Sequence, residues 1–236
     1  MSESSSFATA ANIFAAPGEA FRAIKSRPTV LLPILALVIC YSAVSLLYMQ
    51  SVDLPWFFEQ QLANAPNELT ASEREAALRT TSAISGTTLG AISAVTSSIF
   101  IVLLLFCVSL YYTGISFATN DGVKLKQWFA LSCWCSLPLC LGVVASVVNI
   151  AAGDARFMAQ EAMNPLALGN LFALEIESPT IAQRILLALD LTYLWSLALM
   201  VLAYQAWTQR SIVKSVAIVL GPLAAIMLLT TLPSLL

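Results

Sequence analysis

The sequence predicts an all-α integral membrane bundle of five transmembrane helices, and three observations lead to this fold class. Hydrophobic residues make up 59% of the chain and charged residues only 10%, and the mean hydropathy is +0.84. Soluble domains are about half apolar and about a quarter charged, so a soluble chain of 236 residues would lack the charge to cover this much apolar surface. The charges are also clustered, which leaves long uncharged stretches between them.

Five stretches are long and apolar enough to cross a bilayer, because about 20 mostly apolar residues span roughly 30 Å of hydrocarbon. The predicted spans cover residues 29–49, 84–111, 129–151, 185–204 and 212–232. They do not alternate over about ten residues as the strands of membrane barrels do. We therefore expect a single five-helix domain over residues 12–236, preceded by a disordered polar segment, residues 1–11.

Basic residues near the helix ends predict the orientation, since Lys and Arg are concentrated in cytoplasmic loops. Seven of them fall on one side of the predicted topology: Arg22, Lys25, Arg27, Lys124, Lys126, Arg210 and Lys214. The other four, and most of the acidic residues, fall in the longer loops of the opposite side. With five spans, the N-terminus is expected in the cytoplasm and the C-terminus outside.

The residues before the first span predict a short helix at the membrane interface. Pro17 suits the first helical position. Apolar side chains would then enter the headgroup boundary while the basic ones meet lipid phosphates. The candidate lipid-facing residues are Phe21, Arg22, Ile24, Lys25 and Arg27. The alternative is that the basic residues act only as an orientation signal.

Small residues recur at every fourth position of the predicted second span, at Gly86, Gly90 and Ala94. Such a ladder allows two helix backbones to approach closely. Packing within the monomer is the simpler interpretation, and a homodimer seam is the alternative.

The residues that carry most enzyme chemistry are scarce or absent. The sequence has no histidine, which excludes His-based acid–base relays and His metal sites. Its five cysteines lie within predicted spans and match no zinc spacing. Cys133 and Cys140 share a helix face and could hold Cu(I), but buried apolar thiols are the simpler interpretation. We expect no enzymatic activity, no cofactor or metal, and no nucleic-acid partner.

Asp190 is the ionisable residue that lies clearly inside a predicted span. A carboxylate there is costly and is usually paired or faces a wet cavity. Asn149, near the outer end of the third span, is expected at a similar depth and could bond to it, and Arg184 or Arg156 could fold in. The site is either a structural polar clasp between two spans or a proton or cation site.

Several segments resemble the bacterial branch of the Yip-one (Ypt-interacting protein) family. They are "IFAAPGEAFRAIKSRP", "DGVKLKQWFALSCWCSLPLCLG", "NPLALGNLF" and "LALDLTYLWSLALMVLAYQAWTQRSIVKSVAIVLGPL". Their order and spacing extend from about Asn12 to the last span. The residues that match the family pattern include Pro17, Phe21, Pro28, Pro138, Asn164, Pro165, Asp190 and Trp195.

The resemblance implies five spans, a cytoplasmic N-terminus and a location in the bacterial cytoplasmic (inner) membrane. Eukaryotic relatives are implicated in vesicle traffic through Rab-type GTPases. This chain has only a short polar N-terminus where they have a long cytoplasmic region, so GTPase binding is not carried over.

Two functional hypotheses remain. In the first, the protein is a non-enzymatic scaffold or adaptor whose basic cytoplasmic face binds a protein partner or organises membrane lipid. In the second, it is a small transporter or flux protein that works around Asp190 and Asn149.

Overall fold

The computed structural model describes residues 5–63, 70–82, 84–174 and 180–231, and its regular elements over these ranges are helical. The helices are α1 (Ser6–Ala15), α2 (Pro17–Ser26), α3 (Leu31–Ser51), α4 (Leu54–Ala63), α5 (Ala71–Ser82), α6 (Gly86–Thr119), α7 (Leu125–Cys135), α8 (Leu139–Ala152), α9 (Leu168–Leu171), α10 (Ile181–Ala188), α11 (Leu191–Thr208) and α12 (Ile212–Thr231). Two short 3₁₀ turns, Ala155–Phe157 and Gln160–Ala162, follow α8.

Among the described residues, four helical segments are long and apolar enough to cross a membrane. They are Leu31–Ser51, Gly86–Thr119, Leu125–Ala152 and Ile212–Thr230. The prediction that the protein is all-α and crosses the membrane several times is confirmed.

The third of these segments bends in its middle. Backbone hydrogen bonds from Leu137 to Trp134 and from Leu139 to Ser136 tighten the chain into 3₁₀-type turns around Pro138. The segment before the bend is the most enclosed part of the bundle, since Trp128 and Trp134 are fully buried. The α7–α8 segment is therefore central, and α2, α3, α6 and α11 pack against it.

The predicted span over residues 185–204 is wrong as one continuous helix. It is divided between α10 and α11, with Leu189 and Asp190 in extended conformations between them. Asp190 ends the continuity because its side chain accepts the backbone N–H of Tyr193 and so caps a new helix. Polar residues such as Thr192 and Gln205 also make α11 less apolar than the four segments above.

The small-residue ladder of α6 packs against α3 in the same chain. A Cβ added at Gly90 would lie 3.1 Å from the Cα of Leu46, and one added at Gly86 would overlap the carbonyl oxygen of Met49. Ala94 is buried on the same face. This face is therefore occupied within the monomer, and a homodimer formed through it would have to displace α3.

The N-terminal prediction of disorder over residues 1–11 is wrong for residues 6–11, which belong to α1. Ser5 caps this helix by accepting the backbone N–H of Ala8 at 3.2 Å. Thr9 and Ile13 are buried against the rest of the protein. Residues 1–4 lie outside the described ranges.

The apolar face of α2 does not face lipid. Phe21 and Ile24 are 2% and 1% exposed, in one buried cluster with Trp128 and Tyr204. The helical pattern correctly separates an apolar face from a charged one, but the apolar face packs on α7 and α11. The predicted lipid contact of Phe21 and Ile24 is therefore wrong. Arg22, by contrast, is exposed.

Candidate functional site

Three contacts gather the ends of several helices on one side of the bundle. The Nζ of Lys25 donates to the carbonyl of Trp207 at 3.1 Å, and the Nε2 of Gln127 donates to the carbonyl of Lys25 at 3.0 Å. Arg210 Nη2 lies 2.9 Å from Asp121 Oδ1. We call this side the basic end, and its basic residues are Arg22, Lys25, Arg27, Lys124, Lys126, Arg210 and Lys214.

Stacked aromatic rings form the floor of the basic end. Trp128 stacks on Tyr204 with ring centroids 5.4 Å apart, and it also contacts Trp207 at 5.4 Å and Tyr112 at 5.3 Å. The Nε1 of Trp207 donates to the carbonyl of Phe21 at 3.1 Å, which fixes α2 to this floor. These contacts hold α2, α6, α7 and α11 in one arrangement, so the surface above them is preformed.

The ion pair between Arg210 and Asp121 joins the two turns of the basic end. Helices α6 and α11 both end at a left-handed residue, Asn120 and Gln209, which turns the chain sharply. Asp121 also accepts a hydrogen bond from Thr119 Oγ1 at 2.6 Å. The hydrogen bond to Asp121 raises the pKa of Arg210 above its usual value. The guanidinium is charged at neutral pH, as in any arginine, and its ion pair with Asp121 keeps the two turns together.

At the other end of the bundle, both carboxylate oxygens of Asp190 are engaged. Oδ1 accepts hydrogen bonds from Thr192 Oγ1 at 2.6 Å and from the backbone N–H of Tyr193 at 2.7 Å. Oδ2 accepts one from Asn164 Nδ2 at 2.6 Å. We call the side chains of Asp190, Asn164 and Thr192 the polar clasp. Its donors satisfy a carboxylate that would be costly to leave unpaired within a membrane.

The backbone reinforces the polar clasp. The N–H of Leu168 donates to the carbonyl of Leu189 at 2.8 Å, and the N–H of Leu191 donates to the carbonyl of Leu166 at 3.3 Å. These two bonds form a short antiparallel bridge between Ala167 and Asp190. The clasp thus attaches the loop that follows α8 to the first residue of α11.

Asn149 is not the partner of Asp190. Its amide donates to the carbonyls of Ala162 at 3.0 Å and Met163 at 3.1 Å, which holds the loop after α8 close to that helix. Arg156, another predicted neighbour, lies 3.9 Å from Asp53 instead. The expected pairing is therefore wrong, because the loop brings Asn164 rather than Asn149 to the carboxylate.

Helix α8 approaches the polar clasp through a glycine. A Cβ at Gly142 would lie 2.8 Å from Thr192 Oγ1 and 3.2 Å from Asp190 Oδ2. Beside the clasp is a cavity of about 390 Å³ whose lining includes Asn164, Glu161 and Arg184. The clasp is thus packed tightly against α8, and Asn164 also lines a cavity on its loop side.

A family model for the Yip1 domain matches residues 11–232 of the chain. This chain belongs to the Yip1 domain family. The membership of the Yip-one family that the sequence motifs predict is confirmed, and so is the description as a multi-pass transmembrane protein. No curated protein and no solved structure matches the chain.

The residues that carry the resemblance to other Yip1 domains lie at distinct structural positions. Pro17 begins α2, and Pro138 lies at the bend before α8. Asn164 and Asp190 face each other in the polar clasp. Trp195 contacts Phe14 of α1 with ring centroids 5.5 Å apart.

The side chains of this Yip1 domain bring together few groups for catalysis. Over the described ranges, no group of three or more His, Cys, Asp or Glu residues is arranged to hold a metal ion. All five cysteines are free thiols. The basic end and the polar clasp are two features with a defined polar geometry. The partner missed by sequence reasoning, Asn164, has one local signal, the Asn-Pro pair in "MNPLAL" that commonly begins a turn.

Proposed function

We propose that this Yip1 domain crosses the membrane five times, with α10 and α11 together as the fourth crossing. Helix α11 begins at the polar clasp and ends at the basic end. Helix α12 begins beside Arg210 and packs against α10, which lies on the clasp side. Helices α11 and α12 therefore each cross from one side of the bundle to the other, between the polar clasp and the basic end. The excess of Lys and Arg at the basic end supports a cytoplasmic N-terminus and an outer C-terminus. The bacterial inner membrane is the location that the sequence resemblance implies.

We propose further that the protein is a non-enzymatic membrane scaffold or adaptor that acts through the basic end. The observation that carries this proposal is the preformed surface of that end, whose turns are joined by the Arg210–Asp121 pair above a buried aromatic floor. Lys124, Lys126 and Lys214 are exposed on this surface. A rigid, basic surface binds an acidic partner without the entropic cost of ordering a flexible one.

A transporter that works around Asp190 is the second candidate, and one observation favours it. The cavity of about 390 Å³ includes Asn164 in its lining, so a polar solute in the cavity would be next to the clasp. The hydrogen bonds to both carboxylate oxygens favour the scaffold instead, because they occupy the positions at which a transported cation would bind.

Site-specific photo-crosslinking in living cells tests the scaffold proposal. We would place a photoreactive residue at Gly122, Leu125, Gln209 or Ile212, one at a time, and identify the adducts by mass spectrometry. Glu75, which is exposed on α5, is the matched control in the opposite loop. We expect one protein partner to recur at several basic-end positions and to be absent from the control position. Lipid adducts alone at all four positions would contradict the adaptor role.

Arg210→Gln tests whether the joined turns form the binding surface. Removing the guanidinium leaves Asp121, whose side chain is 8% exposed, with Thr119 as its remaining side-chain hydrogen-bond donor. We expect faster proteolysis at residues 120–124 and 209–211 and a lower yield of partner adducts at Gly122. Lys214→Gln removes the same charge from an exposed side chain and is expected to leave the proteolysis rate unchanged. Equal proteolysis in both variants would show that the pair does not hold the turns together.

A further inference from the structure

A long apolar groove lies on the outer surface of α6, next to the middle of α7. Its volume is about 450 Å³, and its lining residues are Ser98, Ile99, Val102, Leu103, Phe106 and Phe129. Ile99 and Leu103 are 62% and 56% exposed, so the groove is open along its side. Within a membrane, a groove of this kind faces the acyl chains of the surrounding lipid.

The walls of the groove are fixed by packing. Phe106 and Phe129 meet edge to face with ring centroids 5.9 Å apart, which joins α6 and α7 at one end of the groove. Val102 and Phe129 also pack against a buried cluster that includes Leu37 and Leu105. Packing therefore holds the side chains on the inner side of the groove, and its outer side is open.

One exposed basic residue, Lys126, precedes the groove residue Phe129 on α7. Lys126 lies three residues before Phe129 on α7, and residues three apart share one face of a helix. Helix α7 starts at the basic end, so Lys126 is nearer to the headgroup region than Phe129. Lys126 is exposed. The apolar groove thus leads toward a cation on the same helix face.

We propose that this groove and Lys126 form a binding site for one anionic phospholipid, with an acyl chain in the groove and the phosphate at Lys126. The groove runs along two turns of α6, from Ser98 to Phe106, which is about 12 Å of helix rise. Phe106 lies 13 residues before the end of α6 at the basic end, about 20 Å of helix rise. This part of the groove therefore holds the terminal part of an acyl chain whose phosphate lies at Lys126. Basic side chains at the membrane surface attract anionic headgroups. This inference goes beyond the proposed adaptor function and is tested independently of it.

Photoactivatable lipids test the site in the full-length protein. We would reconstitute the protein in phosphatidylcholine vesicles that contain phosphatidylglycerol with a diazirine at the end of one acyl chain. A second preparation would carry the same diazirine on phosphatidylcholine. We expect adducts to concentrate at residues 98–106. We also expect about fivefold more adduct from phosphatidylglycerol, the ratio that ~1 kcal/mol per basic residue near the surface gives.

Two pairs of variants separate the headgroup contact from the groove. Lys126→Gln is expected to reduce the phosphatidylglycerol adduct to the phosphatidylcholine level, while Lys214→Gln, at the same end of the bundle, leaves the ratio unchanged. Ile99→Trp fills the groove and is expected to abolish adducts at residues 98–106. Val95→Trp is the matched control, since Val95 is 60% exposed one helical turn outside the groove.

Two results would overturn the proposal. In the first, phosphatidylglycerol and phosphatidylcholine label the protein equally, and Lys126→Gln does not change the labelling. The other is labelling spread evenly over the exposed side chains of α6 and indifferent to Ile99→Trp. Either result leaves the protein adducts expected at Gly122 and Gln209 unaffected. Loss of those protein adducts with intact lipid labelling would instead contradict the adaptor role and retain the lipid site.

Discussion

Gly86→Ala is expected to destabilise the protein by about 1–3 kcal/mol, the usual cost of forcing extra atoms into a packed contact. The new methyl group would overlap the carbonyl oxygen of Met49, which belongs to the backbone of α3 and cannot move without shifting that helix. Thermal unfolding in detergent, followed by circular dichroism, measures the effect.

Two other glycines of α6 provide the control series. Gly90→Ala brings a Cβ to 3.1 Å from the Cα of Leu46, a tighter contact than most but less severe than at Gly86, and it should cost less. A Cβ added at Gly114 would point into open space, with no atom of a neighbouring helix within 4 Å. Alanine also has a helix propensity about 1 kcal/mol better than glycine, so Gly114→Ala should be neutral or stabilising. Equal effects at Gly86 and Gly114 would mean that α3 and α6 do not approach this closely.

Asp190→Ala is expected to cost about 2–4 kcal/mol, because it removes a helix cap and leaves the amide of Asn164 without its acceptor. Asp190→Asn should cost less. Its amide oxygen can still accept the N–H of Tyr193, but its NH₂ group then faces the NH₂ group of Asn164. Unfolding in detergent and abundance in the membrane are the two measurements.

The exchange of the two residues tests whether the polar clasp is structural. In the double variant Asn164→Asp/Asp190→Asn, the amide at position 190 donates to the carboxylate at position 164, and that carboxylate can still accept the N–H of Leu166. We expect it to be more stable than either single variant, with a coupling free energy of about 1 kcal/mol or more in the double-mutant cycle. Additive losses would show that the two side chains act independently and that the clasp is not a coupled structural unit.

The positions of the continuous spans are largely predictable from the sequence, because bilayer thickness sets a length that hydropathy records directly. The first predicted span, residues 29–49, corresponds to α3 at Leu31–Ser51. The last, residues 212–232, corresponds to α12 at Ile212–Thr231. Hydropathy averaged over a span fails at residues 185–204, because one capping carboxylate, that of Asp190, divides an apolar run into two helices.

Which apolar face packs on protein and which faces lipid is much harder to predict, because lipid tails are as apolar as a protein core. The helical spacing of apolar residues that selects Phe21 and Ile24 is the same whether the face contacts lipid or protein. In the structure, both side chains are buried within the protein. The hydrogen-bond partner of Asp190 is difficult to predict from the sequence for another reason. Asn164 lies 26 residues away, on an irregular loop whose path depends on hydrogen bonds such as that from Asn170 to the carbonyl of Glu161.

The stacked rings beneath the basic end also give this protein an intrinsic optical reporter. Trp128 lies within 5.4 Å of Tyr204 and Trp207, at interplanar angles of 19° and 41°. Rings held this close in a chiral arrangement produce near-ultraviolet circular dichroism, a signal that disappears when tertiary packing is lost. Of the other three tryptophans, Trp56 and Trp195 are less buried, while Trp134 is fully buried and contributes to the same signal. The order of the scaffold surface can therefore be followed without a label, separately from the helix content seen in the far ultraviolet.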